Sequence, residues 1–228
     1  MAGCADGRSR QPVDDLPAAA SPWNHAKKRT LVAREQDAAE RAAWRSAVAE
    51  LDPAELIFLD ETSTPTTLTP LYARAARGTR AVGRIPRGRW QSVTFVGTLT
   101  LNGMGNAALS YDGPLDRPVF DAFVDQFLVP TLHPGQTVVL DNLSVHKSAH
   151  AKAAIEAAGC QLLPLPRYSP DFNPIEHAYA KFKQLLRKRN PRTFADVVSA
   201  TAEAMALITP QDARGFFIDA GYRPRDQS

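Results

Sequence analysis

The chain has 228 residues, 44% hydrophobic and 22% charged, which suits one medium domain with an arm or two small domains. Its formal charge is only +3, but the pI is near 9.0 and the basic residues are unevenly placed, so their local distribution decides the partner. Two distant cysteines, Cys4 and Cys160, exclude a disulfide scaffold and a CxxC zinc site and fit a reducing cytoplasm; no run approaches the roughly 18 to 20 apolar residues of a membrane span, and the start lacks the apolar core of a signal peptide.

Residues 1–30 mix Gly, Pro, Ser, Ala and basic residues without periodicity, ending in Lys27-Lys28-Arg29, and read as a flexible basic arm or linker. The folded domain is expected over 31–223, with 224–228 as a tail. Leu31 to Leu51 predicts a helix closed by Asp52-Pro53. Leu56-Ile57-Phe58-Leu59 reads as a buried strand that ends abruptly in Asp60-Glu61. Gln91 to Leu101 and Asn106 to Tyr111 form a predicted hairpin around the turn signal Asn102-Gly103-Met104-Gly105. A helix over Asp116 to Leu132 precedes the strand Thr137-Val138-Val139-Leu140, which also ends on an acid, Asp141. A helix from Ser148 to Ala158, stopped by Gly159, leads to a fifth strand over Gln161 to Leu165. An amphipathic helix from Pro174 to Arg189 and helices over Thr193 to Ile208 and Pro210 to Ala220 complete the chain. This order predicts an α/β arrangement, a mixed five-stranded sheet flanked by helices with mostly parallel connections.

Two apolar strands ending in Asp suggest chemistry, because Phe58 and Asp60, like Val139 and Asp141, share a strand face. If the strands are neighbours, the acids converge. Anions so close repel unless a cation neutralises them, so a hard divalent ion with oxygen ligands is expected, magnesium fitting best. Each Asp alone also fits a turn or cap. Glu176 has a sharper alternative, since Asn173-Pro174-Ile175-Glu176 matches a helix N-cap with a capping-box glutamate.

Leu59-Asp60-Glu61, Leu140-Asp141-Asn142 and Tyr168-Ser169-Pro170-Asp171-Phe172-Asn173-Pro174-Ile175-Glu176 resemble the three acidic motifs of DDE transposases of the mariner superfamily. More narrowly they resemble its bacterial insertion-sequence branch, the IS six-thirty type, whose spacing matches the 34 residues between Asp141 and Glu176. The resemblance covers 31–223. It implies a ribonuclease-H-like fold, with Asp60, Asp141 and Glu176 as catalytic residues holding two Mg2+ ions, for which Mn2+ substitutes. It implies magnesium-dependent DNA cleavage and strand transfer, attack by water and then by a freed 3′-hydroxyl, and insertion at TA. The implied partners are the element's terminal inverted repeats, target DNA, a second copy in a homodimer on DNA, and a separate N-terminal helix-turn-helix product, in a bacterial cytoplasm at the nucleoid. Three places depart from the family's pattern: Ser63 in a loop that usually holds glycine, Ser144-Val145 for a Gly-Ser pair, and His177 for asparagine.

From Thr62 to Tyr111 there is no Asp or Glu, whereas Arg74, Arg77, Arg80, Arg84, Arg87 and Arg89 are present beside Trp90. Such a stretch attracts phosphates without regard to sequence. An ordinary solvated loop is the alternative. Lys181, Lys183, Arg187, Lys188 and Arg189 extend the pattern along the Glu176 helix, with Lys183 and Arg187 near its acidic face, although basic residues at a helix C-terminus also suit the dipole. His146-Lys147 suits a phosphate or the attacking nucleophile, while His146 and His150, four apart, raise a zinc alternative. Glu61 points away from Asp60, and Asp171 and Asn173 read as turn and cap residues. The rival functions are a DNA-binding remnant or regulator lacking its helix-turn-helix module, and a simple nuclease.

Overall fold

The computed structural model describes residues 33–84 and 91–223; the arm expected over 1–30, Arg87 and Arg89, and the tail 224–228 lie outside them. Five strands form one sheet among the described residues: β1 (Leu56–Pro65), β2 (Ser92–Thr100), β3 (Gly103–Asp112), β4 (Thr137–Leu140) and β5 (Gln161–Pro164), in the order β3-β2-β1-β4-β5. The α/β class and mixed sheet agree with the sequence reading. The expected excess of parallel connections does not. β1 pairs antiparallel with β2, and β2 with β3, whereas β1–β4 and β4–β5 are parallel, so the hairpin contributes as many pairings as the crossovers.

Helices cover both faces. α1 (Ala38–Ala49), α4 (Pro174–Arg189), α5 (Phe194–Ala206) and α6 (Pro210–Asp219) contribute to the core on one face, and α2 (Arg117–Phe123) and α3 (Ala149–Ala157) lie on the other. Alternation along the strands sorts the side chains: Leu56, Phe58 and Val139 enter the α4 side, and Ile57, Leu59, Val138 and Leu140 the α2–α3 side. α4 buries Ile175, Ala178, Tyr179, Phe182 and Leu186 along one stripe, the face its sequence predicts. Phe182 stacks on Phe95 of β2 with ring centroids 4.9 Å apart, and Phe58 meets Phe217 and Tyr222 edge-on at 5.2 and 5.0 Å.

Three local expectations change. The hairpin turns tightly at Leu101-Asn102, because Thr100 already pairs with Gly103. Gly103 has φ 112, and a Cβ there would lie 2.8 Å from the Ile208 carbonyl, so only glycine fits. The helix expected over Asp116 to Leu132 is capped by Asp116 but breaks into α2, a π-helical turn over Val124–Leu128 and a 3-10 turn over Val129–Thr131; Pro130 supplies no N–H to continue an α-helical ladder. Ser63 lies inside β1, its hydroxyl 2.5 Å from that of Ser92, because pairing with β2 carries the strand past the expected loop.

Phe58 is fully buried where β1 meets α6. Phe58→Ala is expected to lower stability by about 3–5 kcal/mol in chemical denaturation, and a loss under about 1 kcal/mol would show that this face is not a packed core.

Candidate active site

Parallel pairing of β1 with β4 ends at Phe58 opposite Val139. Two residues beyond these stand Asp60, still within β1, and Asp141, just past the end of β4, each continuing the alternation that puts Phe58 and Val139 on the α4 face. Asp60 is not at a strand end as the sequence suggests; β1 continues because β2 pairs with it as far as Pro65. Glu176 sits in the first turn of α4. Asp60, Asp141 and Glu176 line a single cavity of about 440 Å³ together with Lys147 and the loop from Leu165 to Pro170. Asp60 is only 7% exposed, Asp141 is half-buried and Glu176 is exposed.

α4 fixes Asp60 at two points. Asn173 donates its side-chain N–H to Asp60 Oδ2 at 2.8 Å, and the Tyr179 hydroxyl donates to the Asp60 backbone carbonyl at 2.6 Å. The Glu61 backbone N–H donates to Asp60 Oδ1 at 2.8 Å. Burial first, then the charges of Glu61, Glu176 and Asp141, push the Asp60 carboxyl up to about 8 against the Glu61 hydrogen bond. Burial likewise raises the Tyr179 phenol well above its usual range, keeping it a hydrogen-bond donor.

These bonds correct the capping reading of Asn173-Pro174-Ile175-Glu176. Asn173 stands at the N-cap position, but its side chain makes no cap bond; its amide is committed to Asp60. The amide oxygen Oδ1 is buried without a hydrogen-bond partner among the described residues. Glu176 therefore faces the cavity without a capping-box duty.

Asp141 Oδ1 accepts from the Leu143 backbone N–H at 3.0 Å and lies 2.6 Å from His146 Nδ1. The other imidazole nitrogen, Nε2, is 3.2 Å from Glu61 Oε2. Glu61 thus leaves Asp60's face, as expected, and connects to Asp141 through His146. Burial opposes charge on His146, yet its bonds to Asp141 and Glu61 prevail and push it up to about 9. The ring is 2% exposed and lies 4.9 Å from Phe120, so neither nitrogen is left for the phosphate contact expected of it. The zinc pairing also fails, since His150 lies at the surface with Nε2 2.8 Å from Asp125 Oδ2.

Among the described residues no three Asp, Glu, His or Cys side chains close into a ready metal cage. The acids form an open cluster. Its donors nevertheless fit a hard divalent cation: they are carboxylate oxygens, they repel one another, and each carboxylate keeps lone pairs beyond the bonds above.

Of the basic residues, Arg74, Arg77, Arg80 and Arg84 are exposed on an irregular stretch after β1, rooted where Arg192 donates to the Leu68 carbonyl and Thr69 hydroxyl at 3.4 and 3.1 Å. Lys183 and Arg187 are half-buried on α4, whereas Lys181 is paired with Asp212 at 2.5 Å and Arg189 with Glu203. Asp171 is a turn residue with a further duty, accepting two bonds from Arg41 at 2.9 and 2.6 Å. Sequence reasoning missed Arg167, which lines the acidic cavity with Lys147, and the amide of Asn173. Of the other departures, the Ser144 carbonyl accepts from Arg117 at 2.8 Å, and His177 stacks on Phe216 at 6.1 Å.

The architecture matches solved structures of Mos1 transposase. Against a pre-cleavage Mos1 transpososome the TM-score is 0.66 at 12% identity, covering 88% of this chain and 65% of that one. The Mos1 mariner paired end complex with Mn gives 0.67 at 15% identity, with 88% and 65% covered. The catalytic domain of Mos1 mariner transposase gives 0.60 at 14% identity, covering 81% of this chain and 86% of that one. The chain thus spans about 65% of the longer Mos1 chains, and it has the ribonuclease-H-like α/β fold of their catalytic domain. No curated protein matches the sequence. The pattern of the DDE superfamily endonucleases matches residues 55–198, a span holding Asp60, Asp141 and Glu176, and the chain belongs to that family.

Proposed function

We propose that residues 31–223 are the catalytic domain of a mariner-superfamily transposase of the bacterial IS six-thirty branch, carrying residues 1–30 as a basic arm. It cleaves and joins DNA strands, with insertion at TA. The observation that carries this reading is the meeting of Asp60, Asp141 and Glu176 in one cavity, inside a DDE endonuclease domain. In support, Mos1 mariner paired end complexes are known with Mn and with Mg.

Asp60, Asp141 and Glu176 would hold the metal through carboxylate oxygens. Two bound divalent ions would activate the attacking oxygen and stabilise the leaving one in an in-line displacement at a phosphodiester. Asn173 and the Glu61 N–H aim the Asp60 carboxylate, and the Leu143 N–H and His146 aim that of Asp141. Lys147 and Arg167 are placed to neutralise phosphates at the cavity, while the exposed arginines and Lys183 and Arg187 attract the flanking duplex. The partners of this reading are the element's terminal inverted repeats and target DNA, a second copy of the chain, and a separately encoded helix-turn-helix product.

The test is an assay of the full chain with Mg2+ on DNA bearing the flanking terminal repeats. Cleaved and joined products are expected; binding without cleavage would replace the enzyme reading with that of a regulator, and cleavage without joining with that of a nuclease. Asp60→Asn, Asp141→Asn and Glu176→Gln are each expected to slow cleavage by roughly 100-fold or more, with unchanged circular dichroism. A fully active Glu176→Gln protein would remove Glu176 from the ligand set. Asn173→Ala is expected to raise the Mg2+ concentration at half-maximal cleavage by about 10-fold.

Burial of Asp60 among the other acids also has a stability consequence without metal. The Asp60 carboxyl is raised from 3.8 to about 8, so between those limits the folded chain binds a proton that the unfolded chain has released. Stability falls as pH rises through that window. Thermal melts in chelator are expected to show Tm declining from pH 5 to pH 8, with a shallower decline in Asp60→Asn; equal slopes would show that the Asp60 carboxyl is not raised in the folded chain.

A further inference from the structure

Two non-glycine residues among those described have positive φ, Tyr168 at 53 and Asn190 at 55. Asn190 is the C-cap of α4, where a left-handed asparagine is common. A bulky aromatic in that region is strained and persists only where its surroundings hold it. Here they do. Gln36 donates to the Tyr168 carbonyl at 2.8 Å, Arg41 clamps Asp171 through two bonds, and the guanidinium groups of Arg41 and Arg45 lie 4.0 and 4.7 Å from the Phe172 ring centroid. The neighbouring Leu165, Ser169, Phe172 and Asn173 are buried, yet Tyr168 is left 55% exposed.

Tyr168 lines the cavity that holds Asp60, Asp141 and Glu176. Leu143, 47% exposed, lines it too, as do Lys147 and Arg167, whose charges meet no acidic partner among the described residues. A phosphate alone would need the cations and not the ring, and an apolar ligand would need the ring and not the cations. A nucleotide drawn out of its stack needs both, since its base presents a π face and its backbone presents charge.

We propose that Tyr168 is a stacking platform for a nucleobase next to the phosphate that enters the carboxylate site, with Arg167 and Lys147 taking the adjoining phosphates. This rests on the reading that DNA is the substrate. Stacking accepts any base, so Tyr168 would act on affinity and on seating the strand end, and not on sequence choice.

The experiment uses the full chain and duplexes ending in a short single strand, with an abasic site placed in turn at each position flanking the cleaved phosphate. Tyr168→Phe is expected to bind like the parent protein. Tyr168→Ala is expected to bind about 10-fold more weakly, which is about 1.4 kcal/mol, with the loss falling on KM more than on kcat. Tyr168→Gly, which relieves the backbone, is expected to lose as much as Tyr168→Ala and so assign the effect to the ring. At one position the abasic site is expected to weaken the parent protein by that same factor and Tyr168→Ala no further, a non-additivity that a purely structural tyrosine does not produce. 2-Aminopurine at that position is expected to be quenched by the parent protein and not by Tyr168→Ala. If the parent protein cleaves DNA and Tyr168→Ala matches it, or if the two losses multiply at every position, the platform alone is overturned. A parent protein that neither binds nor cleaves DNA would overturn the DNA reading and the platform with it.

Discussion

Asp60 is held from both sides of its own residue by α4, its carboxylate by the amide of Asn173 and its carbonyl by the hydroxyl of Tyr179. This latch fixes where α4 begins relative to the sheet, and therefore where Glu176 stands relative to Asp60 and Asp141. Left alone, three acids in one cavity would drive their supports apart. The opposing energy comes from the stripe of α4, with Phe182 against Phe95 and Ile175, Ala178 and Leu186 buried beneath it, where each fully buried large side chain contributes about 1.5–3 kcal/mol. The packed face holds the charges together, and burial first, then those neighbouring charges, raises the Asp60 carboxyl.

Much of this was legible in the sequence because it follows from short periods. Phe58 and Asp60, and Val139 and Asp141, declare a shared face through alternation, and the α4 stripe declares itself at helical spacing. What escaped depends on partners distant in sequence. Thr62-Ser63-Thr64-Pro65 has no apolar run to mark it as strand, yet it continues β1 because β2 supplies the backbone pairing. Asn173 has the local signature of a cap, but an acceptor on β1 takes its amide first. His146 beside Lys147 looks like a surface pair; Phe120 and two carboxylates enclose it instead.

Charge shows the same gap between tally and placement. A run of lysines and arginines along α4 suggests a continuous cationic face, but Lys181 and Arg189 are neutralised by Asp212 and Glu203. Arg167, unremarkable in sequence, lines the acidic cavity with Lys147. The cavity combines carboxylates with cations, the polarity that the proposed handling of a phosphodiester through a metal ion calls for.

α1 reaches the active-site loop by side chains rather than through the sheet. Gln36 just ahead of it holds Tyr168, Arg41 grips Asp171, and Arg41 and Arg45 cover Phe172. Because these contacts join α1 to the loop, a pull on that helix would arrive at the loop through an ion pair and a stacked ring. Force applied to α1 would be transmitted to the loop that carries Tyr168 and Asp171 like tension along a tendon, without passing through the sheet.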